Sequence, residues 1–438
     1  MTLTCALVAA LSMQAQWTLQ ECLNYAEAHN IQVQKNRISQ QEGEESLKQA
    51  QAALFPSLSF SMSQSAGYRP FQESTNMVQN GIVTKTSNKL TWNGSYGLNA
   101  NWTVWDGGIN RKNIEAQKVQ NQITALQTQQ TLNSIQEQIA QLYVQILYTT
   151  EAQKVNEQLQ ETAQKQYDRG LERLKVGDIA KADLAQLESQ LATTKYDVVN
   201  SKTQAEGYKR QLKEILQLDI DEPFDVAQDE IPDAQALSPI PGKSEVYVQA
   251  LAQRPEIKSA QLSQQAADIQ LNIAKRGYYP SIGINAGIGD SHYSASDDSY
   301  GKQLKLNLNG SIGLSVSVPI FDNRRNKTNV EKAKLQRTTA ALDRSDKELA
   351  LGSTIENYWL QATSAQQRFI AAQTAVKSQQ TSYELVNEQF KEGLKNIVDL
   401  LQARDNLLNA QQNKLQSKYT TILNTQLLRF YADGVMDL

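Results

Sequence analysis

Side chains able to carry covalent or metal chemistry are few in this chain, and they are not gathered. His29 and His292 are its only histidines and stand far apart. No cysteine or carboxylate set lies at metal-ligand spacing beside either of them. Glycines follow an aspartate at Trp105-Asp106-Gly107-Gly108. A phosphate cradle would also need a lysine and a preceding strand of soluble type, and both are missing there. A formal net charge of −3 and the lack of a basic block argue against a nucleic-acid partner. These residues predict no catalysis, no cofactor and no metal. What the chain has in quantity is amphipathic pattern, whose chemistry is partition between oil and water.

The pattern is plainest over residues 304–327. Leu304, Leu306, Leu308, Ile312, Leu314, Val316, Val318 and Ile320 alternate with Lys305, Asn307, Asn309, Ser311, Gly313, Ser315 and Ser317. Period two makes one strand face apolar and the other polar. Residues 90–106 repeat this, with Leu90, Trp92, Tyr96, Leu98, Trp102 and Val104 against Thr91, Asn93, Ser95, Asn99, Asn101 and Thr103. Pro56 and Pro280 each open a further alternating strand, and three of the five tryptophans lie on one strand (Trp92, Trp102 and Trp105). Strands are expected at about 57–69, 90–105, 281–292 and 303–321. A soluble sheet would need helices to cover its apolar face, and no other segment here can do so. A membrane barrel turns that face to lipid, keeps small polar residues towards a wet lumen and sets aromatic girdles at the interfaces. Beyond residue 15 there is no run of eighteen apolar residues, so a transmembrane helix is not expected. Four strands cannot close a barrel, and an open edge in lipid leaves backbone groups unpaired. Closure must come from further copies, and three would supply twelve strands.

Internal repetition organises the rest. Setting Trp105 on Phe321, an offset of 216, aligns Asp106 with Asp322, Asn113 with Asn329, Leu126 with Leu342, Tyr167 with Tyr383, Gly177 with Gly393 and Asp183 with Asp399. Upstream the offset is 224, so the first strand pair carries eight extra residues, expected in the loop around 70–89. The chain is an internal duplication. From 110 to 167 a narrow stripe of Ile and Leu at spacings of three and four predicts a long helix with a coiled-coil-like seam. It turns at Gly177-Asp178 and returns, and the second copy turns at Gly393-Leu394-Lys395. The predicted organisation is a signal peptide over 1–15, a first repeat over 16–218, a connector over 219–243 and a second repeat over 244–438. The signal lacks a basic start, which points to a true beginning upstream. Its Cys5 has only four residues before it, a poor lipidation site. The connector holds Pro223, Pro232, Pro239 and Pro241 and is expected to be irregular and packed outside the helices.

This order resembles the TolC-type outer-membrane efflux proteins. It runs helix, Pro-Ser-Leu strand, strand ending in aromatic-Asp-Gly-Gly and long helical hairpin, given twice. Val318-Pro319-Ile320-Phe321-Asp322 is similar to that family's strand-to-helix junction, and Val398-Asp399-Leu400-Leu401-Gln402-Ala403 to its second hairpin tip. The resemblance implies a mixed α and β membrane protein: a homotrimer sharing a twelve-strand barrel in the outer membrane and continued by a periplasmic helical tunnel. It implies a passive exit duct for small molecules or proteins, in tripartite efflux or type I secretion, with a periplasmic adaptor and an inner-membrane pump as partners. By the same resemblance Asp399 belongs to an acidic ring at the tunnel mouth, and a second acid of that ring is Gln402 here. Lys395 stands where the family often has arginine, and Phe390 where a tyrosine hydroxyl would latch. Asp183 becomes the expected salt-bridge partner of Lys395, and the turns at Gly177, Asp178, Gly393 and Leu394 face the adaptor. The two acids also have a purely local reading, because a carboxylate in a helix's first turn is favoured by the helix dipole without any pore. The alternative for the whole chain is a structural or adhesive coiled-coil protein of the cell surface, which would not need amphipathic strand pairs between its helices.

Overall fold

The computed structural model describes residues 16–71, 75–79, 82–86, 89–228, 231–294, 296 and 298–437; the expected signal at 1–15 lies outside them. Strand β1 (Gln16–Trp17) leads into α1 (Leu19–His29). Thr18 opens α1 with a capping box: its hydroxyl accepts the Glu21 N–H, and its own N–H donates to the Glu21 carboxylate at 2.8 Å. Asn30 interrupts the helical run. Its amide oxygen accepts the Gln32 N–H at 2.9 Å, capping α2 (Ile31–Ala52), and its amide nitrogen donates to the Ile215 carbonyl. Next come β2 (Ser57–Tyr68), a hairpin of β3 (Thr75–Gln79) and β4 (Ile82–Thr86), and β5 (Leu90–Trp105). Helices α3 (Ile109–Lys175) and α4 (Lys181–Leu216) follow, then β6 (Asp225–Val226) and α5 (Asp233–Ala236) in the connector. The second half runs α6 (Lys243–Gln253), α7 (Pro255–Arg276), β7 (Ser281–Tyr293), α8 (Tyr300–Asn307), β8 (Asn309–Ser317), α9 (Arg325–Lys391) and α10 (Ile397–Asp433).

The backbone carries the duplication. Helices α3 and α9 are both 67 residues long and offset by 216 at each end (325 − 109 and 391 − 175). The break at Asn30 recurs 224 residues on at Arg254, where Pro255 takes the first helical position, one whose missing N–H costs nothing. Buried positions repeat as well: Ile139 with Ile355, Leu191 with Leu407 and, at the upstream offset, Val33 with Ile257.

Two compact units result. The first joins Met1–Ser39, Thr124–Gln261 and Asp343–Leu438 and is helical apart from the parallel pairing of β1 with β6. Its core gathers Ile139, Ile146, Leu212, Leu216, Phe369, Leu427 and Leu428, all essentially without solvent contact. The connector is more regular than its prolines suggested. Asp233 meets Lys414 at 2.6 Å, and the Gln366 amide donates to the Ala236 and Ser238 carbonyls.

The second unit, Gln40–Ile123 with Leu262–Leu342, holds a four-stranded antiparallel sheet in the order β2-β5-β7-β8 and the separate two-stranded hairpin of β3 and β4. A β-bulge between Thr103 and Trp105 returns Trp105 to the face of Trp102. Three strands fall where the alternation puts them, and the longer first-copy loop carries the β3–β4 hairpin. The fourth does not: the strand expected over 303–321 is confined to Asn309–Ser317, and 300–307 is helix. The reason lies at the edge of β7, which β8 pairs only as far as Gly289. Beyond that point α8 side chains take over, the Gln303 amide oxygen accepting the Tyr293 N–H at 2.8 Å and the Asn307 amide donating to the Ser291 carbonyl at 2.6 Å. At the far end Pro319, which has no N–H to give a ladder, follows the strand.

Candidate functional site

The sheet's two faces differ as the alternation requires. Cross-strand register puts Phe60, Leu98, Ile288 and Gly310 in one row level, and likewise Leu58, Ala100, Ala286 and Ile312. This apolar face lies open, with Phe60 68% and Ile312 81% exposed. The tryptophans stand at both of its ends. Trp92 and Trp102 are ten residues apart on β5, roughly 33 Å along a strand. At the usual barrel tilt that is about 25 Å of height, the thickness of an outer-membrane apolar band. The Trp102 indole donates to the Leu54 carbonyl at 2.9 Å, anchoring the ring where α2 ends. Among the described residues no helix is long and apolar enough to cross a membrane. The outer strands β2 and β8 each keep one unpaired edge in the sheet.

An aspartate precedes each long helix and holds its first turn. Asp106 accepts the N–H groups of Gly108 (2.9 Å) and Asn110 (2.7 Å), and Asp322 accepts that of Asn326 (2.8 Å). In the helical unit, Gly177 (φ 78°) and Gly393 (φ 74°) terminate α3 and α9. Both close by the same pair of bonds: Asp178 N–H to Arg173 and Gly177 N–H to Leu174, then Leu394 N–H to Gln389 and Gly393 N–H to Phe390. This is the left-handed glycine stop that satisfies a helix's last carbonyls.

Other residues expected around these turns fall as follows. Arg173 Nε reaches Asp178 at 2.5 Å and its guanidinium lies over Phe390. Phe390 packs with the cluster of Leu187, Ile397 and Leu400. Lys395 does not pair with Asp183 within the chain. Its Nζ stands 3.6 Å from Asp399 on its own hairpin, with both side chains over 40% exposed. Asp183 instead accepts the Ala180 N–H at 3.2 Å, capping α4, because its backbone position sets the carboxylate over the helix's free N–H groups. Asp399 has its own N–H capped by Asn396 at 2.9 Å, which leaves its carboxylate for Lys395. Gln402 is exposed one turn on and donates to Asn406.

The sequence profile of the outer membrane efflux protein family matches residues 22–216 and 246–432. The chain belongs to that family. It is 21% identical over 367 residues to the outer membrane efflux protein BepC of Brucella suis, covering 83% of this chain and 76% of BepC. With the outer membrane protein TolC of Escherichia coli it is 25% identical over 293 residues, 64% of this chain but only 56% of TolC. The crystal structure of the CmeC outer membrane channel of Campylobacter jejuni superposes with a TM-score of 0.75 at 20% identity, over 95% of this chain and 85% of that one. The fold is that of these channels, and the protein is an efflux-family protein of the outer membrane.

One polar node of this efflux protein is not signalled by any motif. Arg254, at the break between α6 and α7, is buried. Its guanidinium meets Glu256 at 2.9 Å and Glu137 at 3.5 Å and lies 4.1 Å from the Tyr431 ring centre. Burial raises the Glu137 carboxyl above its ordinary value, opposed by the Arg254 charge and a hydrogen bond from Tyr431. Burial likewise raises the Tyr431 phenol. The one available signal was positional, since Arg254 repeats the break residue Asn30.

Proposed function

We propose that three copies close their sheets edge to edge into a twelve-strand outer-membrane barrel, and that the assembly is a passive exit duct without a catalytic step. The observation that carries this is the four-stranded sheet itself, with an open apolar face, tryptophans at both its ends and two unpaired edges. Unpaired backbone groups are costly in lipid, so the edges demand partners, and the family supplies the reading of what the closed assembly does. The helical hairpins form its periplasmic tunnel. A periplasmic adaptor meets the turns at Gly177, Asp178, Gly393 and Leu394 and joins the duct to an inner-membrane pump, in efflux of small molecules or secretion of proteins. Asp399 lies at the tunnel mouth with its charge partly offset by Lys395, and Gln402 contributes no charge, so the mouth is a weak cation filter. A neighbouring copy's Asp183 competes with Asp399 for Lys395.

Purified protein in a planar bilayer should conduct, and the conducting particle should weigh three times the chain's 48.9 kDa, less any signal, before detergent. Asp399→Asn should lower its cation preference. A well-folded particle that never conducts would return the chain to a structural role, and a conducting monomer would sink the shared barrel.

A further inference from the structure

The polar face of the sheet carries no charge. From Ser57 on β2 to Ser317 on β8, and short of the bulge at Trp105, the odd-numbered strand positions hold only Ser, Thr, Asn and Gly, with Tyr293 at one end. Only two residues of the four strands are of acidic or basic type, Asp290 and His292, and both fall on the opposite face, level with Tyr96 and Gly94. At several points of the polar face glycine stands where neighbouring amides leave no room for a side chain. A methylene carbon at Gly313 would come within 2.9 Å of the Asn285 amide oxygen, and one at Gly287 within 3.2 Å of the Asn99 amide oxygen. The wall is therefore shallow, made of hydroxyls and amides that donate and accept alike.

We infer that the membrane section of this duct has no charge filter and passes anionic, cationic and neutral cargo on equal terms, so that any sorting by charge is left to the helical unit. The inference rests on the proposed duct, whose lumen is the sheet's polar face. Amides and hydroxyls can turn a donor to an anion or an acceptor to a cation, so they replace water for either sign. Fixed charges would not: a ring of three, one from each copy, acts on a solute near the axis within the roughly 8 Å over which physiological salt leaves a field unscreened. Charged residues of the helical unit that lie beyond this length leave the barrel's choice unaffected.

The test uses the full protein in a planar bilayer at about 0.15 M salt, with cyclodextrins of one ring size in neutral, cationic and anionic forms. They are added on the side the β3–β4 hairpin faces, and current block is read. The expected result is block by the cationic and anionic rings at concentrations within about twofold of each other, the level at which distant charges are screened. Asn285→Asp, an isosteric change beside Gly313, should then favour the cationic ring on the order of fivefold, and Asn285→Lys the anionic ring by a similar factor. A preference above fivefold in the unaltered protein would overturn the neutral lumen. So would variants of unchanged preference, since Asn285 would then not face the lumen. Absence of any conductance would instead remove the duct itself.

Discussion

Arg324 holds a backbone conformation that its counterpart in the first copy gives to glycine. Gly107 and Gly108 have φ of 72° and 80°, and the residues 216 later, Asn323 and Arg324, have 53° and 68°. The strand-to-helix corner needs two left-handed residues in both copies, and only the first copy uses the residue type that adopts them freely. An L side chain there costs about 1–2 kcal/mol, while glycine's looser unfolded chain returns about 0.5–1 kcal/mol of that. Arg324→Gly should accordingly stabilise the protein by about 0.5–1 kcal/mol, read as a raised thermal midpoint in detergent. Gly107→Ala should do the reverse, since its new carbon would also stand 2.9 Å from the Tyr279 Cβ. A lowered midpoint for Arg324→Gly would mean that the arginine makes a contact worth more than the strain. The second residue-scale case is Glu137. Its carboxyl is raised by burial, against the pull of Arg254. A folded-state value above the unfolded one contributes stability that is full below the unfolded pKa and lost as pH rises through the folded value. Glu137→Gln removes that dependence. The wild-type midpoint minus the variant's should therefore be larger at pH 5 than at pH 8; a difference that shrinks on acidification would show that pairing with Arg254 outweighs burial.

At the scale of elements, the sequence was most legible where one period ran unopposed. Helices α3 and α9 and strands β2, β5 and β7 follow their patterns because nothing nearby competes for the backbone, and the glycine stops at 177 and 393 admit little else. The departure at 304–308 is instructive. Leu304, Leu306 and Leu308 alternate like a strand, yet the segment is helical up to Asn307 because the free edge of β7 is better met by the Gln303 and Asn307 amides. That is a tertiary demand, and period cannot report it. The break at Asn30 has no proline or glycine to mark it: the Asn30 amide oxygen makes the cap by accepting the Gln32 N–H, and the Ile215 carbonyl takes the other end of the amide. Within the single chain Lys395 meets Asp399 and not Asp183, for a related reason. A neighbour at i+4 on one's own chain competes with any partner on another hairpin, and spacing alone would have favoured Asp399. The uncharged polar row and the paired tryptophan levels, by contrast, could be read from the sequence once register was known.

For the whole molecule the open question is what meets the ends of the helical hairpins. Both turns present an apolar side chain to solvent: Val176 is 80% exposed and Leu394 is 75% exposed. No carbon added at Gly177 or Gly393 would touch anything within 4 Å. Val176 precedes the glycine of the first turn and Leu394 follows that of the second, so the two are not repeat equivalents, but each turn offers one bare apolar side chain that a partner touching both could bury. The polar surroundings (Arg173 with Asp178, and Lys395 with Asp399) would form the rim of such a contact. Val176→Ser and Leu394→Ser should leave the thermal midpoint within the small range usual for exposed positions. Together they should lower crosslinking of the turns to a periplasmic adaptor by about tenfold, as expected when roughly 1.4 kcal/mol of apolar contact is lost. The measurement is site-specific photocrosslinking from positions 175 and 392 in cells with an assembled pump. Crosslinks of undiminished yield in the double variant would place the adaptor's contact away from these two side chains, and their absence from the unaltered protein would remove the turns from the docking surface altogether.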